Sequence, residues 1–342
     1  MVSMDYRSRV EGCLFGLALG DSLGGPTEFV KYDSIVEKWG PMGPEEPPSP
    51  VACVTDDTQM ALATGAALMR MANPGAAKPE QWRDALLEAY LEWHGSPDND
   101  RSPGVTCMNS LGKIAAGKPW REATAVGSKG CGANMRVQPV GLLTDRHGFH
   151  VKKRAALAQL QAAITHAHPT ALAASELTAH AIHLLLSGLD PDDLVERLTS
   201  HAESQRGVYH EDALGDLWER AGDSSGAAYI TRGWNEVIHA MGKLRSAMEN
   251  PDRDSDPGVK TGHGWVAEEA LATGLHCFLL FKDEPVMALR RAAATGGDSD
   301  SIACIAGSVI GVYHGVEAWP EAWRARVEYH ERIQKLADWF SR

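Results

Sequence analysis

Three short segments of the 342-residue chain gather oxygen ligands of the kind that hold hard cations. VTDDTQMALA brings Thr55, Asp56 and Asp57 to the front of an apolar run, and TGGDSDSIA brings Asp298, Asp300 and Ser301 to the front of another. GDSLGGPTEF adds Asp21 and Glu28. One Asp, Ser or Thr at such a place is the ordinary N-cap of a helix, and acids in a first turn suit its dipole. Either cluster alone is therefore more often a cap than a site. A cap needs one such residue, however, and each cluster offers several. Carboxylates that converge on a core repel one another and lose hydration unless a cation neutralises them. Carboxylates with hydroxyls, and no paired Cys or His, favour Mg²⁺, Mn²⁺ or Ca²⁺ over zinc. Two such clusters and a lone glutamate fit two divalent ions roughly 3.5–4 Å apart.

The elements that must carry these residues are helical. From Ile302 the apolar positions Ile305, Ala306, Val309, Ile310 and Tyr313 mark one helix face. Similar periodicity runs through TQMALATGAALMRMA, EQWRDALLEAYLEWH, RAALAQLQAAITHA, ALAASELTAHAIHLLLSGL, GWVAEEALATGLHCFLLF and EPVMALRRAAA. Only the stretch from Cys131 to Leu143 suggests an extended piece. Glycines recur every fourth residue at Gly12, Gly16, Gly20 and Gly24, and again at Gly307, Gly311 and Gly315. Glycine inside a helix is unfavourable by about 0.8–1 kcal/mol against alanine. Two such rows predict two central helices whose backbones approach closely, each leading to one of the acidic loops. Turn-rich segments such as GPMGPEEPPSP and ENPDRDSDPGVKTG are too short for domain linkers. The expectation is one all-α domain over residues 1–342.

Composition narrows the classes. A formal charge of -12 argues against non-specific binding to nucleic acid or anionic membranes, both of which need a basic face. No apolar stretch reaches the ~18–20 residues of a membrane span, and MVSMDYRSRVEG lacks a signal-peptide pattern. The six cysteines include no CxxC pair. Reduced thiols, a cytoplasmic location and a monomer are expected. Asp252, Asp254 and Asp256 imitate the start of a calcium loop, but Pro257 stands where its glycine belongs and His263 where its glutamate belongs. This stretch is expected to be a solvated loop.

In order along the chain, GCLFGLALGDSLGGPTEF, VTDDTQMALA, RSPGVTC, GCGANMRVQPVGLL, THAHPTALAA and TGGDSDSIACIAGSVIGVYHG resemble the ADP-ribosylglycohydrolase family. That family includes the dinitrogenase reductase-activating glycohydrolase and the ADP-ribosyl-acceptor hydrolases. The resemblance implies an all-α fold with two Mg²⁺ or Mn²⁺ ions at the base of a cleft, and cleavage of the bond joining ADP-ribose to an acceptor. Carried over, it makes Thr55, Asp56, Asp57, Asp298, Asp300 and Ser301 the metal ligands, and Glu28 the residue that contacts metal or acts as general base on the attacking water. Asp21 is taken as structural support.

SKGCGANMR resembles the loop that wraps the pyrophosphate and distal ribose, which makes Ser128, Gly130, Gly132, Asn134 and Met135 binding candidates. Glycines there let backbone N–H groups reach anionic oxygens; a plain inter-helix turn is the alternative. Relatives often read GNGAAMR, so Cys131 and Asn134 depart from the pattern. His168 matches a histidine near the ADP portion, and is equally a cap or packed side chain. Gly104 and Thr106 are expected to line the cleft, and Trp265 to border the acceptor entrance or simply pack. Asp98 and Asp100 are expected in solvent. The implied activity is a metal-dependent hydrolase of ADP-ribosyl-arginine first. Serine-linked ADP-ribose, poly(ADP-ribose), O-acetyl-ADP-ribose and nucleic-acid-linked ADP-ribose stay open as substrates. The alternative is a non-catalytic ADP-ribose binder or toxin-immunity protein on the same fold.

Overall fold

The computed structural model describes residues 5–342. Helices Tyr6–Gly24 and Ser299–His314 lie at its centre and run antiparallel in contact along their length. Gly12 faces Gly311, Gly16 faces Gly307, Gly20 faces Ala303, and Gly24 faces Ser299 and Asp300. A methyl group on any of Gly12, Gly16, Gly20, Gly307 or Gly311 would overlap a main-chain carbonyl of the other helix. The two rows therefore serve close backbone approach, as their spacing predicts. Gly315 is the exception, because it ends the second helix as a C-cap at φ 78° and lays its carbonyl against Gly12. The Trp319 indole N–H then donates to the Gly12 carbonyl at 2.8 Å.

This antiparallel register decides where the site is built. It brings the end of the first helix, with Asp21 and then Glu28, beside the start of the second, with Asp298 and Asp300. Ser299 Oγ donates to the Gly24 carbonyl at 3.0 Å, and the Thr27 hydroxyl lies 2.7 Å from the same oxygen. Both side chains are fully buried, so they replace the water that a helix terminus otherwise needs.

Helices Pro169–Leu186, Ala267–Leu280 and Pro285–Ala293 pack on Ser299–His314, and Asp56–Arg70 packs on Pro79–His94. One continuous apolar core runs through them from Val10 to Phe340. The longest helix, Gly226–Glu249, is missed by periodicity, because charged and polar residues interrupt its buried stripe of Tyr229, Trp234, Val237, Met241 and Leu244. No helix among the described residues is long and apolar enough to cross a membrane. All six cysteines are free thiols, and only Cys53 is exposed.

No strand forms among the described residues; isolated bridges join Ala52 to Val327, Ala125 to His166 and Gly130 to Val266. The extended piece expected from Cys131 to Leu143 is instead a 3-10 turn, Cys131–Ala133, and a short helix, Gln138–Gly141. No neighbouring strand offers an edge to pair with, so Asn134 N–H closes a tight turn on the Cys131 carbonyl at 2.6 Å. The extended backbone lies just before, where Ala125 pairs with Thr165 and Ala167, and Lys129 and Cys131 pair with Ala267 and Trp265.

Candidate active site

Asp21 organises the first half of the site from beneath. Its side chain is fully buried, and its carboxylate accepts the N–H of Thr55 at 3.0 Å, the N–H of Thr58 at 3.0 Å and the Thr58 hydroxyl. It thereby ties the first central helix to the turn that opens Asp56–Arg70. Thr55 is the N-cap of that helix, with Oγ1 accepting from Asp57 N at 3.3 Å. Asp56 is held from outside the helix, where its Oδ2 accepts the N–H of Gly104 at 3.0 Å. Asp57 is nearly inaccessible, and its Oδ1 has no hydrogen-bond partner. The cap alternative thus accounts for Thr55 and leaves both aspartates unexplained.

The second half comes from the 295–301 turn. Asp298 N–H donates to the His263 carbonyl at 2.8 Å, and Asp300 accepts the N–H of Ser301 at 3.0 Å. Asp298, Asp300 and Ser301 are all buried. One carboxylate oxygen each from Glu28, Asp298 and Asp300 lie within 4.8 Å of one another. Asp300 also faces Asp21, Asp56 and Asp57 closely enough to raise the proton affinity of each.

Six carboxyl groups therefore share one buried place, and none joins an ion pair with Lys, Arg or His among the described residues. Burial first, and then the charge of Asp300, push Asp21 up to about 7 and Glu28 up to about 8. Burial takes Asp56 up to about 7 against the pull of the Gly104 N–H, and lifts Asp57 and Asp298 well above the carboxylate range. The partnerless buried oxygen of Asp57 and an all-oxygen donor set both fit hard divalent cations, which would restore the missing counter-charge.

A pH test follows. A carboxyl whose folded pKa lies above its unfolded value stabilises the fold when protonated, and that contribution is lost as pH rises through the folded pKa. With EDTA, the loss begins near the unfolded carboxyl pKa of about 4 and is complete near pH 7 to 8 for Asp21, Asp56 and Glu28. The melting temperature with Mn²⁺ minus that with EDTA should therefore widen from about pH 5 upward and level off near pH 8. Taking the difference cancels the buried histidines, whose shifts come from burial and from groups outside the cluster. A gap that stays constant would mean that these carboxyls carry no unrelieved repulsion.

Around this cluster the Gly-rich segment lies over His166. A methyl on Gly132 would come within 2.9 Å of the His166 ring, and one on Gly130 within 3.3 Å. Burial and the nearby Arg136 lower the His166 pKa to about 3, so the ring is a neutral floor for the loop. Sequence gave His166 no such role, because only the tertiary contact reveals it. Ser128 Oγ lies 3.1 Å from Thr106 Oγ1, which joins the RSPGVTC turn to the loop. Asn134 is fully buried and donates to the Ala267 carbonyl at 2.9 Å, and the buried Met135 gives its carbonyl to Cys304 Sγ. Departure from the family pattern at Asn134 thus has a structural use, as a strut between the loop and helix Ala267–Leu280. His168 caps helix Pro169–Leu186 by accepting from Thr170 N at 3.3 Å, and its Nε2 lies 3.1 Å from Arg232 Nη1. Asp98 and Asp100 are exposed, as expected.

Phe29 is the residue sequence reasoning passed over. It holds φ at 60°, uncommon for a bulky side chain, and is 70% exposed. Its ring stacks on Trp265 with centroids 5.1 Å apart and planes at 26°. The chain segment that presents Glu28 is thereby joined to the loop whose His263 carbonyl holds Asp298. Trp265 is 43% exposed, a surface residue and not part of the core.

Comparison with known proteins places this arrangement. Over 358 aligned positions the chain is 28% identical to ADP-ribosylhydrolase ARH3 of Bos taurus, covering 96% of this chain and 91% of that protein. It is 24% identical to the ADP-ribosyl-(dinitrogen reductase) glycohydrolase of Rhodospirillum rubrum, covering 96% and 93%. A solved chain described as an ADP-ribosylglycohydrolase-related protein complex superposes with a TM-score of 0.65 at 25% identity, covering 98% of this chain and 97% of that one. The model of the family described as ADP-ribosylglycohydrolase matches residues 2–342. With that match across almost the whole sequence, and the family's acidic motifs folded into one buried cluster, the chain belongs to the ADP-ribosylglycohydrolase family and is a glycohydrolase.

Proposed function

We propose that the protein releases ADP-ribose from a modified acceptor by hydrolysis that depends on two divalent cations, Mg²⁺ or Mn²⁺, with ADP-ribosylated arginine as the first candidate substrate. The observation that carries this reading is the convergence of Glu28, Asp298 and Asp300 beside the buried Asp56 and Asp57, the latter with a partnerless Oδ1. Relatives named for ADP-ribosyl hydrolysis at 24–28% identity support the substrate class. Thr55, Asp56, Asp57, Asp298, Asp300 and Ser301 would hold the ions. When bound, the ions supply charge neutralisation and Lewis acidity at the ribose.

The chain's own residues do the rest. Gly104, Thr106, Ser128, Gly130, Gly132 and the neighbouring Asn134–Met135 backbone would seat the ADP-ribose, with His168 toward its ADP portion and Trp265 toward the acceptor. Glu28 would accept hydrogen bonding from the attacking water and take its proton. The water oxygen bonds to C1″, the bond to the acceptor breaks, and the acceptor leaves carrying a proton. Nothing in the site favours the non-catalytic alternative, since a retired enzyme is free to lose carboxylates and all six stand.

The test is release of free ADP-ribose from arginine-linked and serine-linked ADP-ribosyl peptides with Mg²⁺, Mn²⁺ or EDTA. Release from the arginine peptide that EDTA abolishes is the expected result. Glu28→Gln should cut the rate by about a hundredfold or more, the usual worth of a positioned base. Full turnover by that variant would remove Glu28 from the mechanism. Silence on both peptides, with ADP-ribose still bound tightly, would replace the enzyme with a binder.

A further inference from the structure

The DxDxD stretch expected in solvent divides in two. Asp254 is exposed, as expected. Asp256 is not, at 7% exposure. Its Oδ1 accepts the N–H of Gly258 at 2.9 Å, which closes a local turn. Its Oδ2 accepts the N–H of Gly296 at 3.1 Å, which reaches 40 residues along the chain to a point two residues before Asp298.

Several neighbours are shaped around this contact. A Cβ at Gly296 would stand 2.8 Å from Asp256 Oδ2, so glycine is what lets the carboxylate approach. The far side of the same turn is fixed by Asp298 N–H on the His263 carbonyl, at 2.8 Å. A side chain on Gly297 would overlap that carbonyl. His263 Nδ1 lies 4.0 Å from Asp256 Oδ2, and a Cβ at Gly258 would stand 2.7 Å from the same ring nitrogen. One buried carboxylate thus links Gly258 to Gly296, with the His263 ring beside it.

The turn needs such a link for two reasons. Consecutive glycines give it little stiffness of its own. Asp298 and Asp300 must also be held against the like charge of Glu28, which like-charge repulsion would otherwise push apart. Asp256 is not among the converging oxygens, so its influence runs through the backbone.

We propose that Asp256 is a positioning residue of the metal centre, fixing the TGGDSD turn so that Asp298 and Asp300 meet Glu28 and thereby setting cation affinity. This rests on the metal-dependent reading above. Groups that orient metal ligands typically change affinity by about 10–100-fold when removed.

The measurement is Mn²⁺ binding to the full-length protein by electron paramagnetic resonance, with melting temperature read on the same samples. Asp256→Asn keeps the shape but turns an N–H₂ toward one of the two backbone donors, and should weaken Mn²⁺ by at least about tenfold. Gly296→Ala disturbs the same contact from the other side and should do likewise, which keeps the test open should Asp256→Asn fold poorly. Asp254→Asn should bind as the parent does. Excess Mn²⁺ should return turnover in Asp256→Asn toward the parent value, as expected of a residue that acts on affinity. If Asp256→Asn and Gly296→Ala melt lower but bind Mn²⁺ like the parent, the contact is structural only and the inference is overturned. A parent protein that binds no Mn²⁺ overturns the metal reading itself, and this inference with it.

Discussion

Asp57→Asn should lower Mn²⁺ affinity and turnover by about a hundredfold or more while raising the melting temperature of the EDTA-treated protein. The two halves share one cause. Asp57 is buried, its Oδ1 has no partner, and its proton affinity is raised by burial and by Asp300, Asp21 and Asp56 in that order. Neutralising it removes one member of a repelling set, so the cation-free fold gains stability. It also removes a charged oxygen that a cation would use, so the occupied site loses it. Ligand losses of this kind are among the larger single-residue effects, and a gain in stability at the cost of activity is the expected signature of a functional site. The upward shift should be on the order of a few degrees for a chain of this size. A variant that melts lower without metal would show that Asp57 already has a stabilising partner, and would remove the strongest physical argument for a cation there.

The second large effect concerns one substitution at two places. Gly307→Ala should cost about 4 kcal/mol or more and abolish Mn²⁺ binding, because its methyl would overlap the Gly16 carbonyl and force the central helices apart. Helix propensity alone points the other way, by about 1 kcal/mol in favour of alanine, and steric overlap with backbone outweighs it. Gly242→Ala isolates that propensity. Gly242 is an exposed position inside helix Gly226–Glu249, with nothing within 4 Å of an added Cβ. There the change should stabilise by about 0.4–1 kcal/mol. Chemical denaturation of the two variants beside the parent gives both values. If Gly307→Ala proved as harmless as Gly242→Ala, the glycine rows would have no part in holding the site.

Features with a local cause could be read from sequence. Glycine at every fourth position has few uses in a helix, so two tightly packed helices were legible from Gly12 to Gly24 and from Gly307 to Gly311, but their antiparallel sense was not. The acidic clusters were legible because each offers more oxygen than a cap can use. Features that depend on contact between distant segments were not. Asp256 lies in a polar, turn-rich stretch and looks solvated until Gly296 is seen to donate to it. His166 looks like any histidine before a helix until the Gly-rich loop covers it. Phe29 looks like a core aromatic, because a left-handed φ and a stacked surface partner leave no mark in sequence. The extended stretch expected after Cys131 failed for a related reason: a strand is decided by its neighbour, and no neighbour is there.

The hydrogen bond from Ser299 to Gly24 spans 275 residues, and the whole face between the two central helices joins segments that far apart. A pairing so remote in sequence must close a long loop before its contacts contribute, which slows folding. On the ribosome, Asp21 and Glu28 emerge long before Asp298 and Asp300, and the first helix must wait with its glycine face bare until the second is made. The acidic cluster is therefore assembled only when both segments exist: a nascent chain halted before Ser299–His314 lacks Asp298 and Asp300 and has no partner helix to gather the rest.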